Sequence, residues 1–291
     1  MANAASLVVV VSGPGGVGKS TIIREICQQQ GIGFIDIRLS QRDPVDLRGL
    51  PVPDMQNKQV NWMLSAEWPR DENSQGIILF DEITAADRSL QVAAYELILD
   101  RCLGEMYKVP KGWLICAAGN RIEDRAVAMT ISSALANRFC HLELEPDLNQ
   151  WTKWASLHNL HSDVIAFLRF KPNYFFDMSG NVERGWPSPR SWDRVALMLD
   201  HGATMSSSSL VLMMEGLVGR AATLEFFTFK NLIQAIPDVE KLLLGELEFR
   251  IPDRADMRYA ITTSMAYHLW RGDATQRHTR VSNFLKISLQ L

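Results

Sequence analysis

Residues Gly13-Pro14-Gly15-Gly16-Val17-Gly18-Lys19-Ser20 fit the pattern G-x-x-x-x-G-K-[ST], and Thr21 follows directly. Glycines at these positions let backbone N–H groups converge on phosphate oxygens, and a helix starting behind them adds partial positive charge. In such a loop Lys19 reaches the β- and γ-phosphates and Ser20 ligates Mg²⁺. The plainer alternative is a glycine turn between a strand and a helix. A second group of chemically able residues is Asp81-Glu82, which ends the apolar run Ile77-Ile78-Leu79-Phe80. A strand ending this way sets two carboxylates at the edge of the sheet where ligands bind in open α/β folds. Asp81 would then hold water on the metal ion, and Glu82 would polarise an attacking water. Alone, such a strand end is common and merely solvated; beside the phosphate loop the pair reads as chemistry. The expectation is a site for a nucleoside triphosphate with Mg²⁺.

Both groups need a particular scaffold. Leu7–Val11 is apolar and largely β-branched, as a buried strand is, and Thr21–Ile26 suits the start of a helix. Further apolar runs lie at 33–39, 113–118 and 141–144, with an amphipathic helical pattern over Ser89–Arg101 between them. Strands alternating with helices predict an α/β unit over residues 1–147, a parallel sheet flanked by helices. Beyond it, apolar residues recur at helical spacing. Ser188-Pro189 forms an N-cap with proline at the first helical position, so residues 148–291 should be helical. Leu247–Ile251 is an ambiguous strand, Ser206–Ser209 a helix cap, and Gly104–Gly112 a hairpin turning at Pro110-Lys111-Gly112.

Composition excludes more than it identifies. The 291 residues are 47% hydrophobic and 22% charged, with a formal net charge of −3. Nothing in that balance favours nucleic acid or a membrane surface, and no apolar run is long enough to span a bilayer. Cys27, Cys102, Cys116 and Cys140 lack metal spacing and read as reduced thiols, mostly buried, of a cytoplasmic protein. His158-x-x-His161 lacks a third ligand at helical spacing, so a metal site there is not expected.

The motifs occur in a specific order: the loop, Leu79-Phe80-Asp81-Glu82-Ile83, Ala117-Ala118-Gly119-Asn120, Leu135-Ala136-Asn137-Arg138-Phe139, then Ser188-Pro189-Arg190. With Asp46-Leu47-Arg48-Gly49 and Asp100–Pro110, this order resembles AAA+ ATPases, and within them the MoxR family. The resemblance covers residues 7–200 well and the C-terminal third only loosely. It implies that the helical part is a lid and that Asn120 is the sensor 1 residue facing the γ-phosphate. It also implies that Arg138 is an arginine finger supplied to a neighbouring subunit, with Arg121 or Arg125 as alternatives, and that Arg190 is the sensor 2 residue of the lid. A homo-oligomeric ring, most often a hexamer, follows from the same resemblance. So does a protein client, with a von Willebrand factor A-type domain protein as the usual partner. Residues Arg48–Glu72 match an insertion that commonly faces the ring pore or a client. Trp62 and Trp68 there are either exposed anchors or aromatics packed on their own domain, and Met106-Tyr107-Lys108 is a second pore candidate.

Two departures stand out. The loop has Gly15 where relatives more often have proline, which relaxes the backbone without blocking it. Few residues precede the first strand, so the adenine side of the pocket is unaccounted for. Three alternatives remain at this stage: a nucleotide-dependent scaffold with little turnover, a small-molecule kinase, and a nucleic-acid motor.

Overall fold

The computed structural model describes residues 8–121, 136–180, 184–202, 205–234, 237–269 and 274–290. Leu7, Arg125 and Leu135, used in the sequence reading, lie outside them. The chain divides into two compact units, Met1–Asp147 and Leu148–Leu291.

The first unit runs β1 (Val8–Ser12), α1 (Lys19–Gln30), β2 (Gly33–Arg38), α2 (Pro44–Arg48), β3 (Leu50–Asp54) and β4 (Gln59–Met63). It continues through β5 (Gly76–Asp81), α3 (Arg88–Asp100), β6 (Cys102–Leu103), β7 (Tyr107–Lys108), β8 (Trp113–Gly119) and β9 (Phe139–Glu143). Five strands form one parallel sheet in the order β2-β5-β8-β1-β9. All six residues of β5 are buried, because alternate side chains enter different cores on the two faces. Ile78 and Phe80 pack with Ile115, Ala117 and the α3 residues Leu90, Ala94 and Leu97. Ile77 and Leu79 pack with Cys116, Ala118 and the α1 residues Ile23 and Cys27. The expected α/β class, a parallel sheet flanked by helices with a helical part after it, is what the structure has.

One local expectation needs correction, and the structure decides another that was open. The hairpin expected over 104–112 turns six residues earlier than expected. Cys102–Leu103 pairs with Tyr107–Lys108, so Gly104-Glu105-Met106 makes the turn, with Gly104 in the left-handed region that suits glycine. Residues 40–75 hold α2 and the antiparallel β3–β4 hairpin. Trp68 is not an exposed anchor. It is 2% exposed and its ring centroid lies 6.2 Å from that of Tyr107, inside the core beneath α3. Tyr107 is buried as well and donates its hydroxyl to the Pro69 carbonyl at 2.9 Å, so its side chain serves packing, while Met106 and Lys108 on either side of it are exposed.

The second unit contains only helices among its described residues: α4 (Leu148–Leu157), α5 (Ser162–Phe170), α6 (Pro189–His201), α7 (Ser207–Gln234), α8 (Val239–Leu244), α9 (Ala255–His268) and α10 (Arg277–Ser288). Phe167 centres one core, with ring centroids 5.4 Å from Trp192, 5.4 Å from Phe226 and 5.6 Å from Phe229. Leu242, Leu243, Ile261 and Met265 form another. Residues 247–251 make no strand. Ser188 and Ser191 cap α6 reciprocally, each backbone N–H donating to the other's hydroxyl. Ser206 accepts from the Ser209 N–H at the head of α7. His161 caps α5 by accepting from the Asp163 N–H, and the His158 ring packs 4.5 Å from that of Trp154. No cluster of three metal-ligating side chains occurs among the described residues. The four cysteines are free; Cys27 and Cys116 are buried, while Cys102 and Cys140 are only partly so. No described helix is long and apolar enough to cross a membrane.

Candidate nucleotide site

Parallel strands end on the same side, and that side collects the chemistry. β1 leads into Gly13, β5 ends in Asp81 followed by Glu82, and β8 leads into Asn120. Because β8 lies between β5 and β1, Asn120 emerges between the two carboxylates and the loop.

The loop's shape depends on its glycines. Gly16 (φ 77°) and Gly18 (φ 93°) occupy the left-handed region, where a Cβ would strain the backbone. A Cβ on Gly13 would run into the Leu144 carbonyl, which is held there because the Leu144 N–H donates to Ser12 O at 2.8 Å. Gly18 then caps α1, whose first residues are Lys19 and Ser20. The Lys19 ammonium donates to the carbonyls of Gly13 and Pro14 at 2.8 and 2.9 Å and to Asn120 Oδ1 at 2.8 Å. One cation thus ties the loop to the end of β8. Ser20 Oγ donates to Asp81 Oδ2 at 2.7 Å, which ties α1 to the end of β5.

The Asp81-Glu82 corner is tightly turned. Glu82 has φ 59°, a left-handed conformation that costs a side-chain-bearing residue about 1–2 kcal/mol. Three hydrogen bonds hold it: Glu82 N–H donates to Asp81 Oδ1 at 2.9 Å, Ile83 N–H to Ala118 O at 3.0 Å, and Ala85 N–H to Glu82 O at 2.9 Å. The Glu82 carboxylate accepts a hydrogen bond from Ser40 Oγ, just beyond β2.

Sequence reasoning missed two residues here, Ser40 and Thr84. Thr84 Oγ1 accepts from the Asn120 N–H at 3.1 Å and donates to the Asn120 carbonyl at 3.2 Å, so it fixes the backbone of Asn120. A Cβ on Gly119 would lie 2.8 Å from the Thr84 side chain, so glycine is what admits this contact. A lone serine and a lone threonine carry no spacing signal, although Thr84 does stand two residues after Glu82. Close by, Asp36 on β2 pairs with Arg24 of α1 at 3.2 Å. Burial and then the charge of Asp81 push its carboxyl above the usual range, while Arg38 and Arg24 pull it back.

These groups fit a nucleotide triphosphate with a divalent cation: glycine-shaped backbone and an ammonium for phosphate, and a hydroxyl–carboxylate pair for the metal's shell. Gly13, Pro14, Gly15, Gly16, Val17, Gly18, Lys19 and Ser20 join Asp81, Glu82 and Asn120 in one place; Thr21 follows on α1 and is exposed. Arg138 does not join them within its own chain. It directly precedes β9, whose first residue Phe139 pairs with Val8, so it stands at the opposite end of the parallel strands. Arg121 is near the site's edge and pairs with Glu143 at 3.8 Å. Arg190 is an exposed residue in the first turn of α6, in the second unit.

Comparison with known proteins agrees with this layout. A search of curated proteins finds no significant match. Among solved structures, the RuvB Holliday junction branch migration motor of Thermotoga maritima is 14% identical, covering 97% of this chain and 80% of its own at a TM-score of 0.43. A point variant of that RuvB is 15% identical, covering 90% and 75% at a TM-score of 0.44. A proposed ATPase from Cytophaga hutchinsonii is 16% identical, covering 98% and 72% at 0.38. At TM-scores below 0.5 these likenesses say nothing further about the chain. Residues 9–143, nearly the whole sheet-bearing unit, match the family model described as ATPase family associated with various cellular activities (AAA), and that unit has the AAA core fold.

Proposed function

We propose that the chain is an ATPase of the AAA+ superfamily, of MoxR-like type, working in a homo-oligomeric ring to remodel or assemble a protein client. The observation that carries the nucleotide part is the paired tie at the strand ends: Lys19 to Asn120, and Ser20 to Asp81. In this reading the loop amides from Gly13 to Gly18 and the Lys19 ammonium bind the phosphates. Ser20 and Asp81 hold the shell of a Mg²⁺ ion, which supplies charge neutralisation on the phosphate oxygens. Glu82 takes a proton from water as its oxygen attacks the γ-phosphorus, and the bond to the β–γ bridging oxygen breaks to release ADP and phosphate. Asn120 positions that water. Arg138 serves the site of the next subunit, and Arg190 reports on the γ-phosphate from the helical unit acting as a lid. The ring, the protein client and a von Willebrand factor A-type partner are supported by the order of the motifs alone.

The test is steady-state ATP hydrolysis at ring-forming concentrations, with light scattering with and without ATP. Wild type should turn over and Glu82→Gln should bind ATP but fall by at least about a hundredfold. Equal, slow hydrolysis by both would leave a nucleotide-binding scaffold. A chain that stays monomeric in ATP would point to a kinase, and stimulation by branched duplex DNA with no response to protein would point to a nucleic-acid motor.

A further inference from the structure

Helix α3 sends one polar side chain into the core. Its buried residues are Leu90, Gln91, Ala93, Ala94, Leu97 and Ile98, and Gln91 is 3% exposed. A buried primary amide costs stability unless its polar atoms find partners. Gln91 Nε2 donates to the Ile83 carbonyl at 2.9 Å and to the Ala86 carbonyl at 3.2 Å. Its Oε1 accepts from the Tyr95 hydroxyl at 3.3 Å. Carbonyl oxygens accept and never donate, so the amide nitrogen must be the atom that faces them.

Both carbonyls belong to the turn at residues 82–87 that joins β5 to α3. Such a turn gives them neither a ladder nor a helix partner, and Ile83 and Ala86 are each 1% exposed, too buried for water. Ile83 is the pivot. Its N–H donates to the Ala118 carbonyl of β8 at 3.0 Å and its own carbonyl accepts from Gln91. The residue is therefore held by the sheet through one backbone group and by α3 through the other. Its chain neighbours are the two residues the site needs placed. Glu82, before it, has φ 59°, a conformation that persists only where the surroundings hold it. Thr84, after it, bonds both backbone groups of Asn120.

We propose that Gln91 is a positioning residue for hydrolysis. Through the Ile83 and Ala86 carbonyls it keeps the turn closed, so that the Glu82 carboxylate and, by way of Thr84, Asn120 are presented together. Base and water-orienting amide then share one buried anchor, and a loss there disturbs both at once. The inference rests on the ATPase reading for the reaction that Glu82 serves; the clamp on the turn does not depend on it.

The variants are Gln91→Met, which keeps length and bulk without a donor, and Gln91→Glu, which keeps the shape and one donor while burial holds its carboxyl protonated. Tyr95→Phe leaves both donors in place and is the control. Single-turnover ATP hydrolysis by the full chain is measured beside binding of a non-hydrolysable ATP analogue and thermal unfolding. Gln91→Met should hydrolyse at least about tenfold more slowly, and Kd for the analogue should move less than about twofold. Binding is spared because the bonds of Gln91 go to the turn and to Tyr95. Gln91→Glu should fall between, and Tyr95→Phe should stay within about twofold of wild type. Added to Glu82→Gln, Gln91→Met should cost less than about threefold more, since the main group it positions is already gone. Amides at 83–86 should exchange faster in Gln91→Met while those of the phosphate loop do not. A lowered Tm with an unchanged rate would overturn the proposal, leaving Gln91 as a fold residue. So would a loss that multiplies fully with Glu82→Gln, or unchanged exchange at 83–86. Where Gln91→Met does not fold, the rate of Gln91→Glu decides. A wild type that does not hydrolyse ATP sinks the ATPase reading and this inference with it; an active wild type matched by Gln91→Met sinks the inference alone.

Discussion

Thr84 offers the sharpest check on the site, because its hydroxyl both donates to and accepts from the Asn120 backbone and so acts through Asn120. Thr84→Val keeps the shape that Gly119 accommodates and removes two hydrogen bonds, of 3.1 and 3.2 Å, to the Asn120 backbone. At about 0.5–1.5 kcal/mol net for each bond, the loss is about 1–3 kcal/mol. Asn120 is partly exposed, so water recovers some of this and the lower half of the range is the better expectation. If that energy holds Asn120 in its working position, kcat should fall about 5- to 30-fold. KM for ATP should move less than about twofold, because Lys19 keeps its bonds to the Gly13 and Pro14 carbonyls. Thr84→Ser should restore most of the rate. The assay is steady-state hydrolysis beside thermal unfolding. A lowered Tm with an unchanged kcat would refute the argument, leaving Thr84 as a fold residue; a raised KM at constant kcat would refute it differently, by placing Thr84 in binding.

Three more expectations follow. Gly13→Ala should destabilise the first unit by about 1–3 kcal/mol through the Leu144 carbonyl, read as a lower Tm in the absence of nucleotide. Arg138→Ala and Glu82→Gln should each be nearly inactive alone, yet their mixture should regain measurable hydrolysis. A mixture as inactive as its parts would return the finger role to the chain's own site or to another arginine. Burial pushes the Cys116 thiol up to about 11, so it stays protonated well above the ordinary thiol range. Iodoacetamide at about pH 9 should leave Cys116 unmodified in the native chain and label it after denaturation, as mass spectrometry would show.

What could be read from the sequence was whatever carries a strong local signal. The loop fixes its own backbone through glycines and its own function through Lys19, and β5 shows six apolar or acidic residues in a row because both its faces are buried. Trp68 and Trp62 stand six positions apart in one polar stretch, and composition alone cannot separate them. Only the packing of Trp68 against Tyr107 beneath α3 does so. The hairpin turn was misplaced because Pro110-Lys111-Gly112 has turn residues too. What outweighs them is the pairing of Leu103 with Tyr107 across the left-handed Gly104, with Tyr107 anchored by its hydroxyl on Pro69. Ser40 and Thr84 were invisible for another reason. Each reaches the site across strands, Ser40 from just beyond β2 to Glu82 and Thr84 to the end of β8, and such contacts leave no periodic trace.

The placement of Arg138 turns a topological fact into a functional constraint. β1 and β9 run parallel and in register, so the residue before β9 lies a full strand away from the residue after β1. Six residue steps at about 3.3 Å each separate Arg138 from the level of the loop, roughly 20 Å and farther than one side chain reaches. Among the described residues at the site's own edge, Arg121 is engaged with Glu143. The cation that would offset charge on the transferring phosphoryl group is thus not supplied by Arg138 of the same chain. If that arginine takes part at all, it does so from a second copy whose strand starts face the first copy's strand ends. Head-to-tail contact of that kind is heterologous, and repeated around an axis it closes into a ring. On the proposed function, then, hydrolysis depends on assembly because a parallel sheet puts its two ends on opposite sides of the domain.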